Sequence, residues 1–122
     1  MKALVVDDSA LARTVLLNAC SRVGIQSIDQ AFDGKMALEY VTKNNYNIIF
    51  MDWNMPNMLG IEAVKKIREM GRNIPIIMVT GLSDRIHVSE AMKAGVNNYL
   101  IKPFKPETAI EKIQETLSAT PS

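Results

Sequence analysis

The chain has 122 residues, 48% of them hydrophobic and 22% charged, which suits one compact globular domain with enough apolar material for a core. Its 14 Lys and Arg residues against 13 Asp and Glu leave a net charge of +1. There is therefore no electrostatic case for direct nucleic-acid binding, and no apolar run reaches membrane-spanning length.

The chain alternates short apolar runs with amphipathic segments. Ala3 to Val6 is a continuous apolar run that meets Asp7 and Asp8 after four residues, too short for the hydrophobic region of a secretory signal. Ser9 suits the cap of a following helix, with Ala12, Val15, Leu16, Ala19 and Val23 on one face and Gly24 at its end. A weak strand is predicted over about Ser27 to Phe32, then a helix through Ala37, Leu38 and Val41 ending near Asn44 and Asn45. Ile48 to Met51 is apolar at every position, as expected of a strand buried on both faces. The turn Asn54-Met55-Pro56-Asn57 follows it. A third helix carries Ile61, Val64 and Ile67 and ends at Gly71. Ile74 to Val79 reads as another fully apolar strand, ending at Thr80. A fourth helix starts near Ser83-Asp84 and turns Val88, Ala91 and Met92 inward, with Gly95 at its end. Tyr99 to Ile101 is a last short strand. Pro106 fits the first turn of a final helix with Ile110, Ile113 and Leu117 inward. These are five strand–helix units, and their short connections argue for a parallel sheet covered by helices on both faces. One domain over residues 1–118 is expected, with a flexible tail over 119–122. The single cysteine, Cys20, has no internal partner for a disulfide, which agrees with a cytoplasmic location.

Open parallel sheets bind ligands beyond the carboxyl ends of their strands. The residues there are Asp7 and Asp8, then Asp52, Thr80 and Lys102. Two like charges ~4 Å apart repel by about 4 kcal/mol at an effective dielectric of 20, so three clustered carboxylates need cations. Lys102 supplies one charge and a divalent metal the rest. The available ligands are all oxygens, which favours Mg²⁺. A metal and a lysine clamping phosphoryl oxygens would stabilise transfer to a carboxylate, and the Thr80 hydroxyl offers a donor to another phosphoryl oxygen. Singly, these signals are weak: Asp-Asp after a strand also serves as a helix cap. Asp52 is stronger, because an acid after four buried apolar residues faces a cleft or suffers desolvation.

At these residues the sequence resembles the response-regulator receiver domain, and among its members the chemotaxis regulators. The resemblance lies in Val5-Val6-Asp7-Asp8-Ser9, Asp52-Trp53-Asn54-Met55-Pro56, Val79-Thr80-Gly81 and Lys102-Pro103-Phe104, and it covers the whole chain apart from the tail. It implies a flavodoxin-like α/β fold with strand order 2-1-3-4-5. It also implies that Asp52 is the phosphoacceptor, charged by a histidine kinase, and that Asp8 and Asp52 ligate Mg²⁺. Asp7 would act directly or through water, and the Asn54 backbone carbonyl would complete the protein ligands. Lys102 would pair with the phosphoryl group, Thr80 would move toward it, and Tyr99 would rotate in response. The output would be a reshaped surface on the fourth helix, fifth strand and fifth helix, read by a downstream protein. A cis Lys102-Pro103 bond is common in the family.

Two positions depart from the family pattern. Leu59-Gly60 replaces the frequent Asp-Gly, which bears on a partner contact and not on the acids. Leu82, two residues after Thr80, is apolar where many relatives are polar, so an altered self-dephosphorylation rate is expected. His87 reads as a solvated surface residue and Cys20 as a small core residue. Trp53, Met55 and Met58 fit either a partner-binding patch or a cover over the sheet edge.

A phosphatase of the haloacid-dehalogenase type would need a second Asp two residues after the nucleophile as general acid, where Asn54 stands. A flavin carrier would need a Ser/Thr/Gly-rich phosphate loop where Asp7-Asp8 stands. The start at Met1 and the absence of a linker after the last helix favour a free-standing signalling protein over a receiver cut from a longer regulator. In either case it is not a conventional enzyme.

Overall fold

The computed structural model describes residues 1–119. Five strands alternate with five helices: β1 (Lys2–Val6), α1 (Ala10–Arg22), β2 (Ser27–Ala31), α2 (Gly34–Lys43), β3 (Ile48–Asp52), α3 (Gly60–Glu69), β4 (Ile76–Thr80), α4 (Arg85–Ala94), β5 (Asn98–Ile101) and α5 (Pro106–Ala119). The strands form one sheet in the order β2-β1-β3-β4-β5, and every pairing is parallel. This is the flavodoxin-like arrangement that the resemblance implied.

Side chains along a strand alternate between faces, and here both faces are covered. Ala3, Val5, Ile48, Phe50, Ile77 and Val79 pack against Leu16, Ala19 and Cys20 of α1 and Ala109 and Ile113 of α5. Leu4, Val6, Ile49, Met51, Ile76 and Met78 pack on the other side against α2, α3 and α4. The uninterrupted apolar runs of β1, β3 and β4 follow from this two-sided burial. Fully burying one Ile or Phe side chain contributes about 1.5–3 kcal/mol, so β3, buried at all five positions, is a firm base for the acid at its end.

Local chemistry sets the helix ends. Ser9 caps α1 by accepting from the Ala12 N–H, Asp33 caps α2 by accepting from the Met36 N–H, and Asp84 caps α4 by accepting from the His87 N–H. These bonds satisfy donors that the first helical turn leaves unpaired. Gly95 closes α4 in the left-handed region at φ 109°, where a Cβ is disfavoured.

Several boundaries and faces differ from the sequence expectations. β2 stops at Ala31, and Phe32 lies outside it beneath the Arg13 guanidinium, 4.5 Å from the ring centre. β4 begins at Ile76 rather than Ile74, because Pro75 can only accept, which it does from the Ile49 N–H at 2.9 Å. Met92 is 49% exposed: α4 turns Ala91 to the sheet, and its neighbour faces outward. α5 continues to Ala119, while residues 120–122 of the expected tail lie outside the described residues. Ile113 is buried as expected, whereas Ile110 and Leu117 only pack at the edge of their core.

Candidate functional site

Parallel pairing brings the carboxyl ends of β1, β3, β4 and β5 to one edge of the sheet. In the register Asp52 lies opposite Val79 and Thr80 opposite Ile101, so Thr80 and Lys102 follow directly beside the end of β3. The Lys102 N–H donates to the Thr80 carbonyl at 2.9 Å, and the Lys102–Pro103 peptide is cis. The topology thus assembles the residues that the sequence placed at separate strand ends.

Asp7 is completely buried and Asp52 is 6% exposed, while Asp8 is exposed. Each of the three offers a carboxylate oxygen within 4.8 Å of the others. The Lys102 ammonium lies 2.9 Å from Asp7 Oδ2 and 3.4 Å from Asp52 Oδ1. Asp7 Oδ1 accepts from the Ser9 N–H at 2.9 Å. Asp7 Oδ2 meets the ammonium as an ion pair, yet among the described residues no donor completes a well-aligned hydrogen bond to it.

The electrostatics are those of a site short of positive charge. Burial, then the charge of Asp7, pushes the Asp52 carboxyl up to about 7, with Lys102 pulling the other way. Burial pulls the Lys102 ammonium down, but its contact with Asp7 and the two carboxylate charges outweigh this and hold it above its usual value. One ammonium does not balance three carboxylates. A hard divalent cation fits this all-oxygen donor set, and it would also complete the poorly satisfied Asp7 Oδ2.

The site's supports are more specific than its charges. The Gly60 N–H donates to the Trp53 carbonyl at 2.7 Å. A Cβ on Gly60 would fall 1.8 Å from the Asp52 carbonyl oxygen, so only glycine allows α3 to begin there. Asn57, at φ 70°, donates from its side chain to Asp33 at 2.9 Å and ties the loop after β3 to the start of α2. The Arg13 guanidinium donates to the Asp7 carbonyl at 2.9 Å. Asn54 is exposed in the bend after β3. Thr80 is buried and its hydroxyl accepts from the Leu82 N–H at 3.2 Å.

Trp53 and Met55 are buried, and Met58 packs beside them. These three therefore cover the sheet edge and do not form an open patch. Tyr99 is half-buried and donates its hydroxyl to the Leu82 carbonyl. His87 is less free than its sequence suggested, being bound to Asp84 and lying against Trp53. Gly60, Arg13 and this His87 contact were not found by sequence reasoning. Only for Gly60 did a signal exist, in its place immediately before an amphipathic run.

The family model for the response regulator receiver domain matches residues 3–114. The chain belongs to this family. As a receiver domain it is similar to the chemotaxis protein CheY homolog of Campylobacter jejuni, at 43% identity over 96% of this chain and 92% of that protein. Chemotaxis protein CheY1 of Helicobacter pylori is likewise 43% identical, over 96% of this chain and 97% of that one. Among solved structures, the chemotaxis response regulator CheY4 of Vibrio cholerae superposes with a TM-score of 0.88 at 34% identity, over 95% of this chain and 98% of its own. The receiver domain of the Francisella response regulator 1452 gives 0.89 at 33% identity, over 98% of each chain. The chain is thus a receiver domain of CheY-like type, a component of two-component signalling. Among the described residues no helix is long and apolar enough to cross a membrane.

Proposed function

We propose that this receiver domain takes a phosphoryl group from a histidine kinase onto Asp52 and uses the resulting charge to alter a protein-binding surface. The observation that carries this reading is the Lys102 ammonium set between two buried carboxylates, 2.9 Å from Asp7 and 3.4 Å from Asp52, with Asp8 beside them. A carboxylate oxygen of Asp52 attacks the phosphorus, the P–N bond to the kinase imidazole breaks, and its electron pair leaves with the ring. The product is an acyl phosphate on Asp52. Lys102 holds the phosphoryl group from one side. Thr80, after breaking its bond to the Leu82 N–H, donates from the other. Asp7, Asp8, Asp52 and the Asn54 carbonyl would hold Mg²⁺, which neutralises phosphoryl charge during transfer.

The response passes along the segment after β4. When the Thr80 hydroxyl turns toward the phosphoryl group, the Leu82 backbone loses a partner, and the same residue's carbonyl holds Tyr99. Tyr99 rotation is the resulting switch. Exposed Met92 and Ile101 on α4 and β5 support the α4–β5–α5 face as the surface for a downstream protein. The identity to two chemotaxis proteins supports a chemotaxis-type regulator working in the cytoplasm.

Incubation with acetyl phosphate, with and without Mg²⁺, followed by intact mass spectrometry, tests the reading. One phosphoryl adduct that requires both Mg²⁺ and Asp52, and is absent from Asp52→Asn, is the expected outcome. An adduct that survives Asp52→Asn would refute the assignment. Leu82→Glu is expected to change the adduct's lifetime, and equal lifetimes would clear Leu82 of any control over hydrolysis.

A further inference from the structure

Helix α4 buries a single residue, Ala91, so packing alone holds it weakly. Polar and ring contacts at its two ends add to that hold. At the C-terminal end, Arg68 of α3 donates from Nε and Nη2 to the Gly95 carbonyl at 3.0 and 2.8 Å. At the N-terminal end the fastening is His87. Its Nδ1–H donates to Asp84 Oδ1 at 2.6 Å, while the other Asp84 oxygen accepts the His87 backbone N–H at 3.2 Å. The carboxylate thereby fixes the imidazole, which meets the Trp53 indole edge-on with ring centres 5.2 Å apart and planes 77° apart.

Trp53 is not an ordinary core residue. It is buried, it directly follows Asp52 and precedes Asn54, and its carbonyl is held by the Gly60 N–H. The backbone that aims Asp52 is therefore gripped twice, by α3 through a main-chain bond and by α4 through a ring contact. An edge-on aromatic pair stabilises beyond the area it buries. A carboxylate ligand needs positioning within about 0.5 Å, so such a contact on the adjoining residue matters to ion binding.

We propose that His87 is a positioning residue for the acid pocket: it steadies Trp53, and with it the backbone of Asp52 and Asn54, in the arrangement that receives a divalent cation. This inference rests on the reading of Asp7, Asp8 and Asp52 as the Mg²⁺ pocket. By linkage the coupling is reciprocal: His87 affects the affinity for the ion, and the ion affects the environment of the His87 ring.

Mg²⁺ is titrated by calorimetry into wild type, His87→Ala and His87→Phe, and the ring protons of His87, the chain's one histidine, are followed by NMR. His87→Ala is expected to bind Mg²⁺ about fivefold more weakly, the lower end of measured site-to-site couplings. His87→Phe, which keeps an aromatic edge against Trp53, restores most of that loss. In wild type the His87 ring resonances shift with the same midpoint as ion binding. Equal affinities in wild type and His87→Ala overturn the proposal, as does a His87→Phe protein no better than His87→Ala, since the loss is then general destabilisation. A folded wild-type protein that binds no Mg²⁺ removes the pocket reading and this inference together.

Discussion

Helices α3 and α4 have ten residues each and flank the same face of the sheet, yet they are held in different ways. α3 buries Gly60, Ile61, Ala63, Val64 and Ile67, whereas α4 buries Ala91 alone. α3 starts bonded to the carbonyl of Trp53 and packed against that of Asp52, so it cannot move without moving the backbone of the acid. α4 is fastened by Arg68 at one end and His87 at the other, and between them its surface is open. Burial gives position, and a few replaceable contacts give a helix that can shift. On the proposed reading a receiver needs both, a fixed acid and a movable output element, and the two neighbouring helices would divide the tasks.

The sharpest way to break this division is to force α3 off the acid. Gly60→Ala puts a methyl group against the Asp52 carbonyl and should cost about 3 kcal/mol or more in urea unfolding, with loss of Asp52 phosphorylation. Ile67→Ala, farther along the same helix, should cost about 2–5 kcal/mol and leave the phosphorylation chemistry intact. If Gly60→Ala were neutral, α3 would not be fixed as described.

The acid itself comes next. Burial and the charge of Asp7 push the Asp52 carboxyl from its ordinary value of 3.8 up to about 7, so between those values the folded protein binds more protons than the unfolded chain. Stability of the ion-free protein should therefore fall as pH rises from 4 to 7, by about 3 kcal/mol from this group. Asp52→Asn should flatten that slope and be the more stable protein at pH 7. Mg²⁺ at millimolar concentration should raise the wild-type melting temperature and raise that of Asp52→Asn less. A melting temperature that ignores both pH and Mg²⁺ would contradict the crowded-acid picture.

On the α4 side the expected effects are smaller. Tyr99→Phe removes one hydrogen bond to the Leu82 carbonyl and should cost about 1 kcal/mol, with faster amide exchange in the β4–α4 connection. Met92→Ala, on the open surface, should stay within about 0.5 kcal/mol of wild type. Costs from Met92→Ala as large as those from Ile67→Ala would erase the distinction between the helices.

The same contrast explains what could be read from the chain. Ile48 to Met51 announced a doubly buried strand because each residue is apolar. The acids became conspicuous because each stands where such a run stops. Parallel topology then supplied their meeting point without any side-chain geometry. The packed face of α3 was legible for the same reason, since Ile61, Val64 and Ile67 repeat at helical spacing. On α4 the two ends and inward Ala91 were legible, but a helix that buries one residue leaves little pattern, and Met92, apolar like its neighbour, faces outward. The edge contact between His87 and Trp53 joins residues far apart in the chain. The role of Gly60 depends on one close approach to a carbonyl. Neither has a periodic signature. Pro75 was visible, but that it would delay β4 by two residues follows from the ladder's need for donors.

Cys20 sits on the inner side of α1, against the opposite face of the sheet, completely buried, with burial pushing its thiol up to about 12. A thiol so protected is almost entirely protonated at neutral pH and out of reach of alkylating reagents. It becomes reactive only when α1 lifts from the sheet, so the rate of Cys20 alkylation acts as a built-in clock for opening of that layer. The α4 contacts belong to the other face, and Ser9 and Arg13 meet Asp7 at the opposite end of α1, so this clock times the breathing of the α1 layer at the end away from the acids.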